Sequence, residues 1–263
     1  MGIGFAYNYS EMKMKSEGSF EMKKLIISSI LIVFLVAGIA QAIPSLQLDI
    51  AGGTYDLETE TIISSGTTFT LYAYLIPDAQ SSKLTDTYFL SMAVTPKIGP
   101  TGSDLGSYSY NGNTLAVTGD MLYGTPPFET LVNPVVATTD PGDLSSHGIF
   151  ETYFYEYAFK FGTAQISPYN TQDRAKAGSP ISMSGSGMYY VAFEIDTTNL
   201  DPGYFIHFDL YNEALAKKSK TDLDVNQFAP FSHDAQSNHK VPEPGMLSLL
   251  GLGLFGMAFF RRK

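Results

Sequence analysis

The chain has 263 residues, with 26 Asp+Glu against 16 Lys+Arg and a formal charge of −10 at pH 7. That balance opposes nucleic-acid binding, in which Lys and Arg neutralise phosphates and release their counterions. It contains no cysteine, which excludes disulfides, thiolate zinc sites and a cysteine nucleophile.

Residues 1–21 show neither a structural nor a targeting pattern and read as an upstream extension or a start-site miscall, with Met22-Lys23-Lys24 as the start. The run LIISSILIVFLVAGIA over 25–40 follows Lys23 and Lys24 and closes on Ala40-Gln41-Ala42. A positive n-region, an apolar core and small residues at −3 and −1 predict a secretory signal over 22–42. Signal peptidase would cleave it after Ala42, with Ala40 and Ala42 in its small pockets. An uncleaved signal anchor is the alternative.

The body, residues 43–241, is long enough for one substantial core. Removing the acids and bases of the two ends leaves it 22 acidic and nine basic side chains, about −13 and more acidic than the whole chain. Period-two alternation predicts strands. Thr67–Ile76 sets Phe69, Leu71, Ala73 and Leu75 against Thr70, Tyr72 and Tyr74. Phe150–Phe161 sets Tyr153, Tyr155, Tyr157, Phe159 and Phe161 against Thr152, Phe154, Glu156, Ala158 and Lys160. Thr87–Thr95, Gly187–Ile195 and Tyr204–Tyr211 repeat the theme, punctuated by Gly, Pro, Asn and Asp as at Asn111-Gly112-Asn113. Residues 99–146 read as long loops, and Asn212–Lys220 as a helical turn or two. The fold class predicted is all-β: one antiparallel β-sandwich over 43–235, jelly-roll-like or Ig-like, followed by a linker over 236–241.

Chemistry is sparse in the sequence. No nucleophile elbow, zinc-protease helix, phosphate loop or dinucleotide fingerprint occurs. The four histidines, His147, His207, His233 and His239, are too dispersed to form a local ligand cluster, and His207 reads as a satisfied histidine in a strand. His233 and Asp234 are neighbours, so a regular strand would point them apart. Asp222, Asp224 and Asn226 alternate, with Asp234 eight residues on; oxygens at such spacing in a turning loop can converge on calcium. Calcium is therefore the cofactor to test. Asp49 and Asp56 about Gly52-Gly53 form a weaker pair. Glu151 and Glu156 sit at an odd spacing and so on opposite faces, which argues against a glycosidase pair. The expectation is a non-enzymatic protein; the alternative is a secreted carbohydrate-active enzyme using Asp104, Asp120 or Glu129.

The C-terminus reads Val241-Pro242-Glu243-Pro244-Gly245, then the apolar run Met246–Phe260, then Arg261-Arg262-Lys263. As a helix the run would span roughly 22 Å, short against about 30 Å of hydrocarbon. The terminal bases would hold that end cytoplasmic. Motif, short helix and basic end over 242–263 resemble the PEP-CTERM sorting signal of Gram-negative bacteria, with Pro242, Glu243 and Pro244 as the motif. The resemblance implies an exosortase that processes the chain at the inner membrane and passes it to the cell surface or extracellular matrix, the usual setting of exopolysaccharide and biofilm. A plain membrane anchor is the alternative. The body resembles the choice-of-anchor N family through Leu46–Ile50, Gly52–Asp56, Ser146-His147-Gly148, His207–Tyr211 and Phe228–Ala235. That resemblance implies a surface domain and assigns no activity.

Overall fold

The computed structural model describes residues 43–128, 144–175, 183–215 and 223–238. The signal segment, the sorting segment, Glu129, Asp222 and His239 lie outside these residues. Among the described residues no helix is long and apolar enough to cross a membrane.

The chain is all-β, with strands in two sheets. In the first, β1 (Leu46–Ile50), β4 (Thr68–Leu75), β11 (Met188–Asp196), β6 (Ser107–Tyr110) and β7 (Asn113–Ala116) lie side by side, and β10 (Gln165–Ile166) also pairs with β11. In the second, the order is β2 (Thr54–Asp56), β3 (Thr61–Ile63), β14 (Ala235–Gln236), β12 (Phe205–Leu215), β5 (Tyr88–Thr95), β9 (Thr152–Phe159) and β8 (Leu122–Gly124). Strand β13 (Leu223–Phe228) pairs with β12 beyond β14. Every pairing is antiparallel except β3 with β14.

The inner faces follow the alternation in the sequence. Leu46, Leu48 and Ile50 of β1, Phe69, Leu71, Ala73 and Leu75 of β4, and Phe193 and Ile195 of β11 meet Tyr88, Leu90, Met92 and Val94 of β5 and Ile206, Phe208 and Leu210 of β12 in one core. Phe69 meets Phe208 edge-on across the layers at 6.1 Å between ring centres, and Phe159 meets Phe193 at 5.2 Å. Tyr153 is buried in this core and Tyr155, Tyr157 and Phe159 pack against it, so this face of the 150–161 stretch points inward.

The outer faces are not bare. Leu144, Ile149 and Phe150 cover Ala93, Phe154 and Tyr211 on the outside of the second sheet. On the first sheet, Tyr74 packs with Ile166 and Met188, and Tyr169 leans on that group. Both faces of β1 are therefore buried, and Gln47 and Asp49 are as inaccessible as the leucines beside them. Gln47 donates to the Tyr169 carbonyl at 3.1 Å and accepts from the Thr171 backbone at 2.9 Å, while the Tyr169 hydroxyl donates to Asp49. These bonds satisfy polar groups that burial would otherwise penalise.

Two expectations are corrected. Asn212–Leu215 is strand, not helix: Asn212 pairs with Tyr88 on one side and Gln227 on the other, and Glu213 with Val225. The ladder to β13, joined at Asn212 by pairing to β5, overrides a local preference worth tenths of a kcal/mol per residue. The described part of 99–146, residues 99–128 and 144–146, is not all loop either. It holds β6, β7, a helical turn at Val117–Asp120, and β8. Asn111 and Gly112 both take positive φ, 47° and 78°, as a two-residue hairpin turn between β6 and β7 demands.

Phe208→Ala should cost about 3–5 kcal/mol, because a fully buried aromatic leaves a cavity between the sheets. Leu57→Ala, at a side chain 78% exposed, should stay within about 0.5 kcal/mol. Urea unfolding of both variants checks the pair; equal losses would show that the inter-sheet core is misassigned.

Candidate metal centre

Strand β12 turns Ile206, Phe208 and Leu210 into the core, so His207, Asp209 and Tyr211 must point outward. Outward here still means buried: His207 is 2% exposed and Asp209 4%. The cover comes from two places. The segment 144–150 crosses above β12 and brings His147. The turn Phe231–His233, which leads into β14, brings Asp234.

Nε2 of His147, Nε2 of His207, Oδ1 of Asp209 and Oδ2 of Asp234 converge. His147 and His207 approach Nε2 to Nε2 at 3.1 Å. Asp209 Oδ1 lies 3.3 Å from His147 Nε2 and 3.5 Å from His207 Nε2, and Asp234 Oδ2 lies 3.3 Å from His207 Nε2. One ligand atom from each of the four residues falls within 4.8 Å of all the others, the set of this kind found among the described residues.

The orientation of His147 is held from behind. Its Nδ1 sits 2.8 Å from the Ser145 carbonyl, which can only accept, so Nδ1 carries a hydrogen and a neutral ring presents the Nε2 lone pair to the cluster. Its ring stacks on Phe231 at 3.8 Å. The backbone of His147 has φ 25°, a conformation that a side-chain-bearing residue keeps only when its surroundings enforce it. Ser146 Oγ and Lys97 Nζ both donate to the Phe150 carbonyl, at 2.7 and 2.9 Å, and close the segment.

Electrostatics are severe here. Burial alone would pull the His207 ring down, but the Asp209 charge, with hydrogen bonds to Asp209 and Asp234, pushes it up to about 10. Burial would raise Asp209; the His207 charge outweighs it and holds the carboxyl at about 2. Asp234 is raised, chiefly by burial. Even so, the cluster is unsatisfied. Nε2 of His207 carries at most one hydrogen, yet three atoms with lone pairs approach it. Asp209 Oδ2 and His207 Nδ1 are buried without any hydrogen-bond partner. A groove opens over His147, His207 and Asp234, bordered by Glu58, Glu60 and Phe231.

The described members of the calcium set expected from spacing, Asp224, Asn226 and Asp234, are engaged separately. Asp224 and Asn226 lie on β13, where residues two apart stand roughly 6.6 Å from each other along a rod and do not curl round an ion. The Asn226 side chain donates to the Ser81 carbonyl at 2.9 Å. Asp234 belongs to the histidine cluster instead. Asp49 receives Tyr169, and Asp56 accepts from the backbone of Glu58 and Thr59, so that pair too is separated. His233 turns away from Asp234, as adjacency suggests, and meets Asn170 Oδ1 at 2.9 Å. Asp104 and Asp120 are exposed and accept from the Gly106 and Ala116 backbones at 2.9 and 2.8 Å. The cluster itself escaped sequence reasoning because His147 lies 60 residues before His207, and Asp234 lies 25 residues beyond Asp209. The one usable signal was two polar residues, His207 and Asp209, on the same face of a strand whose other face is purely apolar.

Residues 240–263 match the PEP-CTERM protein-sorting motif. No curated protein matches the chain by sequence. Among solved structures the chain is similar to the crystal structure of ACE19, the collagen binding subdomain of Enterococcus faecalis surface protein ACE. The identity is 6%, the alignment covers 76% of this chain and 99% of that one, and the TM-score is 0.23.

Glu156 lies beside this region on β9 and receives the Tyr211 hydroxyl and the Phe128 backbone N–H. Burial raises its carboxyl above the ordinary 4.5, against the pull of those two donors. A carboxyl raised in the fold contributes fully below 4.5 and loses that contribution as pH climbs through its folded value. Glu156→Gln should therefore gain stability relative to the parent as pH rises above 4.5. Parallel stability curves over that range would refute the assignment.

Proposed function

We propose that the chain is a non-enzymatic surface or matrix module, a β-sandwich delivered by exosortase sorting and acting by adhesion or by association with exopolysaccharide. The match of residues 240–263 to the PEP-CTERM protein-sorting motif carries this reading. The motif implies processing by an exosortase and export to the cell surface through a membrane-associated step. The processed segment would comprise Pro242, Glu243 and Pro244, the apolar run and the Arg261-Arg262-Lys263 end. Upstream, signal peptidase would act after Ala42. The body would be a surface domain of the choice-of-anchor N type, in a Gram-negative host. An acidic body of about −13 suits a soluble exterior domain, since like charges keep copies apart.

Two measurements test it. In a host with an exosortase, intact-mass spectrometry of the surface-released chain should show an end upstream of Arg261. A Pro242→Ala, Pro244→Ala double variant should keep the Arg261-Arg262-Lys263 end and remain with the membrane. An intact basic end on the surface-located parent would defeat the sorting step. A panel of polysaccharides should then show retention without hydrolysis; turnover would favour the carbohydrate-active enzyme.

A further inference from the structure

We propose that His147, His207, Asp209 and Asp234 form a closed, four-coordinate zinc site that pins the segment 144–150 to the outer face of the second sheet. The inference is independent of how the chain is sorted or what it adheres to.

The distances select the metal. In a tetrahedral site the ligand–ligand edge is about 1.63 times the metal–ligand bond, so zinc bonds of ~2.0–2.1 Å require edges of about 3.3–3.4 Å. Four of the six edges measure 3.1, 3.3, 3.5 and 3.3 Å, and all six lie within 4.8 Å. Calcium needs six to eight oxygen ligands at about 2.3–2.6 Å, and two imidazole nitrogens do not belong in such a shell. Magnesium likewise prefers oxygen and keeps its waters.

Charge and hydrogen bonding lead to the same ion. Once the His207 proton is displaced, two carboxylates and two neutral imidazoles present two negative charges, which a bound divalent cation neutralises. A proton on His207 Nε2 can be shared with one neighbour at a time; a cation at the centre is shared by all four. Asp209 holds a second buried oxygen with no partner, a cost that a nearby dication removes. The hydrogen bond from His147 Nδ1 to the Ser145 carbonyl supplies the outer support that keeps a ligating imidazole in the required tautomer. The groove over His147, His207 and Asp234 provides a path of entry for the ion.

With four protein ligands in place, no position is left open for water or substrate, which is the mark of a structural site. Its work is mechanical. In a chain without cysteine, one ion ties a long connection, the middle strand β12 and the entry to β14 into a single knot.

The test uses the full-length chain purified without chelator. Elemental analysis should find about one zinc per chain, removable by a strong chelator, with the thermal midpoint falling by several degrees. Zinc should restore the midpoint, and calcium and magnesium should not. Chelation should also speed amide exchange in 144–150 ahead of β4 and β5. Cobalt loaded in place of zinc should give the intense visible absorption of a four-coordinate ion, a reading that needs no variant. His147→Ala should abolish zinc retention while far-ultraviolet circular dichroism stays β-type, and Asp224→Asn should change neither. The proposal is overturned by a chain that takes up no zinc, by undiminished zinc in His147→Ala, by the pale spectrum of six-coordinate cobalt, or by an equal thermal response to calcium.

Discussion

Two layers of strands meet over an apolar interior in which β4 and β11 face β5 and β12, with Phe69 set edge-on against Phe208 and Phe159 against Phe193. Every other feature is placed by that contact. Once Leu71, Ala73 and Leu75 or Ile206, Phe208 and Leu210 point inward, the pleat sends their neighbours outward. The outward set then has to be solvated or covered. Here it is covered on both sheets, by 144–150 on one and by Tyr169–Thr171 on the other.

Covering a sheet face with an irregular segment creates a problem of polar burial, and the two sheets solve it alike. A polar pair at alternate positions of a central or edge strand reaches up to the cover. On β1 the pair is Gln47 and Asp49, which engage the Tyr169 and Thr171 backbone and the Tyr169 hydroxyl. On β12 it is His207 and Asp209, which meet His147 and Asp234. The first set is complete with protein atoms alone. The second leaves lone pairs facing one another and a carboxylate oxygen without a partner, which is why it reads as a cation site and the first does not.

Much of this was legible in the residues. The alternation in FETYFYEYAFKF marked β9 as a strand, and Asn111-Gly112-Asn113 marked a break between elements. The Pro242-Glu243-Pro244 motif with its apolar run and basic end announced the sorting signal, now matched over 240–263. Other parts were not legible, for identifiable reasons. Asn212–Leu215 has helix-forming composition, but pairing with Tyr88, 124 residues away, and with the neighbouring strand β13 outweighs propensity. TDLDVN has the spacing of a calcium loop, but a strand straightens that spacing into a line.

A chain without cysteine can form neither thiolate metal sites nor disulfides. By itself the sequence determined what depends on local order: the strand periods and the linear sorting motif at 240–263. Only the tertiary structure decided the site. A metal centre is made of directions converging on a point, and His147, His207, Asp209 and Asp234 converge only after β12 is registered against β5 and β14 and the 144–150 segment is folded over it.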